Sequence, residues 1–255
     1  MILCGKSDAG MKRKVNQDSF AVLEFAENAT LVVVCDGMGG NAGGGEASRI
    51  AAGSFTESIK EFLSSFEKKD NKIVPRGENI KKALDKALKK ANAAVHGAAK
   101  SNAELSGMGT TLVAALFLDG VLYSVNVGDS RLYMIDKNEI KQLTHDHSYV
   151  QFLVDLGKIS PEEARSNAHK NIITRAVGTE PEIEPDITAH DVPTDDGRYF
   201  LLCSDGLTNM VDEAEIHRIV TDALPLEIKV KALIEKANGN GGSDNITVVV
   251  LESGR

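Results

Sequence analysis

Five short, almost unbroken apolar runs constrain the fold of this chain more than any other feature; they occupy residues 31–35, 111–118, 121–127, 199–203 and 246–251. Runs of this length and β-branched content, bounded by turn residues, read as strands covered on both faces. Segments 18–25 and 131–135 read as further strands. Asp119-Gly120 alone separates two of the runs, and a two-residue spacer of this kind predicts a tight antiparallel hairpin. Apolar residues at helical spacing mark helices over 47–66, 80–98 and 226–237. Pro225 suits the first turn of the third helix, and Asp212 suits the N-cap of another. Strands in the middle with helices on either side suit a central pair of sheets with helices outside.

Nothing in the 255 residues reads as a linker, a fixed-period repeat or a low-complexity segment, so residues 1–255 are expected to form a single domain. Residues 145–175 are polar, helix-like in pieces and too long for a simple connection, which marks a functional insertion. The charged stretch 67–72 reads as a solvated turn. At 42% hydrophobic the chain has ample material for a core, which excludes a disordered protein. With no Trp, that core must be built mainly from Val, Leu, Ile and Ala.

A formal net charge of −8 argues against a nucleic-acid binder, which would need a basic stripe. It does not exclude a phosphorylated substrate, because clustered carboxylates recruit cations and cations bind phosphate. The three cysteines, Cys4, Cys35 and Cys203, have no close pairing and fit a reducing compartment. Met1-Ile2-Leu3-Cys4 lacks the start of a secretory signal, and no run approaches the roughly 18 apolar residues of a membrane span. The expectation is a cytoplasmic chain without a membrane partner. Nothing signals oligomerisation, so a monomer is expected.

The acids fall in a pattern. Run 31–35 ends at Asp36-Gly37, run 199–203 leads through Ser204 to Asp205-Gly206, run 121–127 ends at Gly128-Asp129, and Asp244-Asn245 precedes run 246–251. Any one Asp-Gly is an ordinary turn dipeptide. Four acids closing four buried strands are not explained that way, because a carboxylate fixed at the end of an apolar strand is costly without a partner. Converging carboxylates without matching bases ask for hard cations, Mg²⁺ or Mn²⁺. Asn16-Gln17-Asp18 adds a fifth acid with Arg13 just upstream. Read alone, Arg13 is a surface cation beside Lys12 and Lys14; beside a metal cluster it would pair with phosphate oxygens.

Other signals carry less. Gly5-Lys6-Ser7 lacks the earlier glycine of a phosphate loop and reads as the first strand. The glycine-rich stretch 39–45 has no dinucleotide spacing and would let the chain pass close to the cations before entering a helix. His145 and His147 read as polar loop residues. Cys35 and Cys203 lack an Arg at the spacing of a cysteine phosphatase.

In their order along the chain, these pieces resemble the PPM family of metal-dependent protein phosphatases, the type-2C serine/threonine phosphatases, in its compact bacterial form. The resemblance rests on residues 13–18, Asp36-Gly37-Met38-Gly39-Gly40, Met108-Gly109-Thr110-Thr111, Val127-Gly128-Asp129-Ser130-Arg131, Cys203-Ser204-Asp205-Gly206-Leu207 and Gly242-Ser243-Asp244-Asn245. It implies an α+β fold, an α-β-β-α sandwich of two mainly antiparallel sheets flanked by helix pairs, with 145–175 as a mobile flap. It also implies two core Mn²⁺ or Mg²⁺ ions. Asp36 would bridge them, the Gly37 carbonyl, Asp205 and Asp244 would complete the set, and Asp18 would act through bound water. Asp129 with Asp205 would hold a third, weaker ion, and Asn171 stands where some relatives add a ligand to it.

Hydrolysis of phosphoserine and phosphothreonine by direct attack of a metal-bridging hydroxide follows from that resemblance, with Arg13 as the phosphate-binding residue. The partners implied are phosphorylated proteins, including a Ser/Thr kinase. Met38 stands where many eukaryotic relatives carry a His that is a candidate general acid, so the leaving group would take its proton from water. Gln17 replaces a Glu common in the motif, and Asn167-Ala168-His169 departs from the bacterial flap pattern. A non-catalytic, partner-binding relative and a phosphatase of small metabolites on the same fold are the alternatives.

Overall fold

The structure, a computed structural model, describes residues 1–74, 79–192 and 197–253. Strands β1 (Ile2–Asp8), β2 (Asp18–Ala26) and β3 (Ala29–Met38) precede helix α1 (Gly40–Ser64), the small hairpin β4 (Glu67–Lys69) and β5 (Lys72–Val74), and helix α2 (Ile80–Ser101). Then come β6 (Gly109–Thr110), β7 (Leu112–Leu118), β8 (Val121–Val127), β9 (Arg131–Ile135) and β10 (Ile140–Gln142), followed by the short helices α3 (Tyr149–Asp155) and α4 (Pro161–Ser166). The rest is β11 (Asp186–Asp191), β12 (Tyr199–Cys203), α5 (Asp205–Thr208), α6 (Glu213–Thr221), α7 (Leu226–Gly239) and β13 (Ile246–Glu252).

One sheet has the order β1-β13-β12-β9-β10 and the other β11-β8-β7-β3-β2, with β6 added beside β3. Every pairing in them is antiparallel. Strand periodicity explains the layers, since successive side chains point to opposite faces. Val32 and Val34 of β3 join Val113, Phe200, Leu202 and Val249 in a core between the sheets. Leu31, Val33 and Cys35 face α1 and α2, while Leu201, Cys203, Val248 and Val250 face α6 and α7. The result is the expected α-β-β-α sandwich.

The turn chemistry is as expected at Asp119-Gly120, where both residues have positive φ, 51° and 82°, the geometry of a tight hairpin turn whose twist matches the strands. Asp212 caps α6 by accepting from the Glu215 N–H at 2.8 Å. Several boundaries differ from the sequence reading. Pro225 is the N-cap of α7 rather than part of its first turn. Residues 67–72 are not only a turn: Asp70-Asn71 form the tip, with φ of 50° and 58°, and their neighbours pair as β4 and β5. β3 runs past the apolar stretch, so Asp36 and Gly37 lie inside the strand, with Gly37 paired to Thr110.

The glycine-rich stretch is likewise already helical from Gly40. A Cβ at Gly37 or at Gly44 would collide with the other's backbone, so two glycines let the start of α1 cross directly over β3. The edge strands β10 and β11, short and polar, were not legible as strands.

Phe200 is fully buried between the sheets, its ring edge-on to Phe117 at 4.9 Å. Phe200→Ala should cost about 3–5 kcal/mol through lost burial and the cavity left behind, read as a drop in the urea midpoint with an unchanged m-value.

Candidate metal centre

The strand ends bring the acids together. β2 and β3 pair in a register that places Asp18 directly opposite Asp36. Asp205 opens α5 where β12 ends, Asp244 lies just before β13, and Asp129 follows β8. Asp36, Gly37, Asp129, Asp205, Asp244 and Arg13 line one pocket of about 490 Å³, with Asn171 of the flap segment on its wall. Asp18 is not on the pocket surface but sits beneath it.

Several of these acids are held, through backbone or side chain, by polar groups to which sequence reasoning gave no role. The Asp36 N–H donates to Thr111 Oγ1 at 2.9 Å, and its carbonyl accepts from the Thr111 N–H at 2.9 Å and from Thr110 Oγ1 at 2.8 Å. Thr111 is itself tied to Ser130 at 2.7 Å. Asp18 Oδ2 accepts from Ser204 Oγ at 2.7 Å and Thr247 Oγ1 at 2.6 Å. Asn245 accepts from the Gln17 N–H and donates to the carbonyls of Ala9 and Val15, stapling the Arg13 loop to the start of β13. Asn209 donates to Asp205 Oδ2 at 2.8 Å. The sequence signal for these residues was their place in the matching segments, Thr110 and Thr111 in one of their own and Ser130, Ser204 and Asn245 beside the motif acids; their small polar side chains are otherwise ordinary.

The flap begins on a similar anchor. Arg131 holds Asp146 through paired hydrogen bonds of 3.0 and 2.7 Å. His145 is outside the pocket and exposed, paired with Asp155 at 2.9 Å. His147 is more than a loop residue: it is buried, its Nδ1 accepts from the Gly128 N–H at 3.2 Å, and its Nε2 meets Asp186 at 3.1 Å. It therefore braces the backbone next to Asp129.

Electrostatics separate this pocket from an ordinary turn cluster. Burial pushes Asp18 and Asp205 up to about 6, with nearby carboxylates adding to the shift. Asp36 and Asp129 are raised well above the usual carboxylate range, again by burial first and acidic neighbours second. Among the described residues the acids of the pocket have one ion pair, Arg13 to Asp244 at 2.8 Å. Asp18 Oδ1 and Asp205 Oδ1 are buried without any hydrogen-bond partner.

Excess negative charge, orphaned oxygens and an all-oxygen donor set fit hard divalent cations. Among the described residues no three such side chains are already drawn around one point.

An α-β-β-α sandwich with an acidic, oxygen-lined pocket at the ends of its strands is the frame of a metal-dependent phosphatase. The comparisons agree. Residues 5–234 match the protein phosphatase 2C family. The serine/threonine phosphatase Stp of Listeria welshimeri is 40% identical, over 97% of this chain and 94% of that protein. The crystal structure of the phosphatase Stp1 from Staphylococcus aureus superposes with a TM-score of 0.87 at 33% identity, covering 99% of this chain and 94% of that one. The catalytic domain of the phosphatase PstP, solved with two manganese ions, gives a TM-score of 0.79 at 36% identity and covers 98% and 96%. This chain belongs to the protein phosphatase 2C family.

Two outcomes follow from the charge balance. Asp36→Asn removes a buried carboxylate whose ionised form is disfavoured, so it should raise the melting temperature of the metal-stripped protein while abolishing turnover; thermal melts and phosphate release check both. Asp18 and Asp205 have folded-state values of about 6 against an ordinary 3.8. The folded chain therefore binds more protons than the unfolded one in that window, and these groups subtract stability as pH rises through it. Cations need the ionised forms, so the rise in Tm on adding Mn²⁺ should be largest near neutral pH and shrink below about pH 6. An equal rise on both sides of that window would contradict the reading.

Proposed function

We propose that this protein phosphatase acts by direct hydrolysis at the acidic pocket, with Asp36, the Gly37 carbonyl, Asp205 and Asp244 as holders of two core ions. When bound, such ions lower the pKa of a shared water to about neutral and offset charge on the phosphoryl oxygens. Asp129 and Asp205 would hold a third ion at the flap side, with Asn171 as a candidate further ligand, and Asp18 would act through water from below. The observation carrying this reading is the convergence of strand-end acids on one pocket with Arg13 at its edge.

Arg13 suits phosphate binding. Only its Nη2 donates to Asp244, and a guanidinium has five N–H donors in a planar fork, so donors remain for phosphoryl oxygens. Those contacts would strengthen as charge shifts in the transition state. A covalent route through a thiolate is disfavoured by burial: Cys203 is pushed up to about 12 and Cys35 further, so neither is ionised at neutral pH. Met38 lines the pocket and, among the described residues, no histidine does. The leaving group would therefore take its proton from water.

The same reading takes phosphoserine and phosphothreonine proteins as substrates, a Ser/Thr kinase as the opposing enzyme, Mn²⁺ or Mg²⁺ as the ions, a monomer as the working unit and the cytoplasm as its location. The two-manganese relative supports the choice of ion. Among the described residues no helix is long and apolar enough to cross a membrane.

The test is phosphate release from a phosphothreonine peptide after metal stripping, with Mn²⁺ or Mg²⁺ restored. Activity should return with either ion and be lost in Asp36→Ala. Asp205→Ala should lose activity by about 10³-fold or more, while Asp129→Ala should lose less and keep the core ions. Near-normal turnover by Asp205→Ala would overturn the assignment, and turnover of phosphorylated metabolites but not phosphopeptides would favour the small-molecule alternative.

A further inference from the structure

The strand that carries Asp36 outruns its main partners. β7 pairs with β3 only over Ala29–Val34, and the pairing with β2 ends at Asp36. Among the described residues, Gly37 and Met38 pair only with the two-residue strand β6, and a strand of that length has little stability of its own. One further rung supports it. Thr110 and Val177 exchange both backbone hydrogen bonds, at 3.0 and 2.8 Å, while Thr110 Oγ1 donates to the Asp36 carbonyl at 2.8 Å. Val177 is therefore the outer edge of a small sheet that ends on Asp36-Gly37.

Helix α2 grips that edge. Asn92 is 1% exposed and continues the buried stripe of Leu84 and Leu88, a place where an amide is costly unless it is bonded. Its Oδ1 accepts from the Gly178 N–H at 2.7 Å, and its Nδ2 donates to the carbonyls of Glu180 at 2.9 Å and Pro181 at 3.3 Å. His96, one turn on, meets the Gly178 carbonyl through Nδ1 at 3.0 Å; a carbonyl only accepts, so Nδ1 carries the hydrogen. Side chains from successive turns of α2 thus take both backbone groups of Gly178. Gly178 has a φ of 93°, and a Cβ there would collide with Val95, so the loop lies directly on the helix. An apolar residue at 92 would complete the stripe; the amide adds a fixed position for the backbone beside Val177.

We propose that Asn92 and His96 are positioning residues for the core cations. By holding Gly178 and Val177 against α2 they fix Thr110, and through it the Asp36 carboxylate and the Gly37 carbonyl. The inference rests on the assignment of Asp36 and Gly37 as metal holders above and extends it to two residues that do not line the pocket. Groups that orient metal ligands without touching the metal govern affinity by about 10–100-fold. This relay runs through backbone hydrogen bonds and brings no charge into the pocket, so its effect falls on how tightly the ions are held and not on the chemistry once they are bound.

The experiment titrates Mn²⁺ into the metal-stripped protein by calorimetry and records the metal-free Tm beside it. Asn92→Leu suits the stripe, and His96→Leu removes a single bond at a half-buried site. Both should weaken Mn²⁺ binding, by about tenfold at Asn92 and by less at His96. The Mn²⁺ concentration that half-saturates turnover of p-nitrophenyl phosphate should rise in step, while kcat at saturating Mn²⁺ falls far less. Leu84→Ala, two turns away on the same stripe, should lower the metal-free Tm through the cavity it leaves and keep the wild-type Mn²⁺ affinity. Unchanged Mn²⁺ affinity in either folded variant would overturn the inference, and His96→Leu decides it should Asn92→Leu fail to fold. Equal weakening by Leu84→Ala would also overturn it, by showing that any loosening of α2 has this effect. If Asp36→Ala itself left Mn²⁺ binding intact, the metal assignment would fail and this inference with it.

Discussion

Taking a carboxylate out of water is unfavourable by several kcal/mol unless an opposite charge meets it, and this fold does so at one end of its sandwich several times over. Asp18 and Asp36 sit across from each other in paired strands, with Asp205, Asp244 and Asp129 close enough to raise the proton affinity of Asp36. Among the described residues one ion pair, from Arg13 to Asp244, answers them. The apolar layers on both sides of each sheet make the strand ends rigid, so the acids cannot drift apart to relieve the repulsion. Rigidity and unbalanced charge together make a cation site.

The polar groups around the acids are arranged to hold backbone rather than to neutralise charge. Thr110 and Thr111 grip the main chain at Asp36, Ser130 holds Thr111, and Asn245 grips the loop that carries Arg13. Ser204 and Thr247 bond one oxygen of Asp18 and leave the other without a partner. This division fixes the positions of the acids while leaving carboxylate oxygens open.

Much of this was legible in the sequence. The doubly apolar runs showed which strands would be central, and Asp119-Gly120 showed how two of them connect. The acids were legible because they interrupt apolar runs, where a charge is conspicuous. Elements whose physical reason lies elsewhere in the fold were not legible. β11 and β10 are short polar edge strands, and their pairing partners, not their own composition, make them strands. The start of α1 was hidden because glycine disfavours helix, and only the crossing over Gly37 explains its presence. His147 read as an ordinary loop histidine because the groups it bonds, Gly128 and Asp186, are far from it in sequence.

The placement of Cys35 and Cys203 has a consequence for the conditions under which such an enzyme keeps working. Both thiols are sealed inside strands, and burial holds them in the protonated form. Peroxide attacks thiolates that are ionised and exposed, and phosphatases that depend on such a nucleophile fall silent under oxidation. On the reading proposed above, a chemistry built on strand-end carboxylates would have no sulfur to lose, and it would keep running under peroxide that stops a thiolate enzyme.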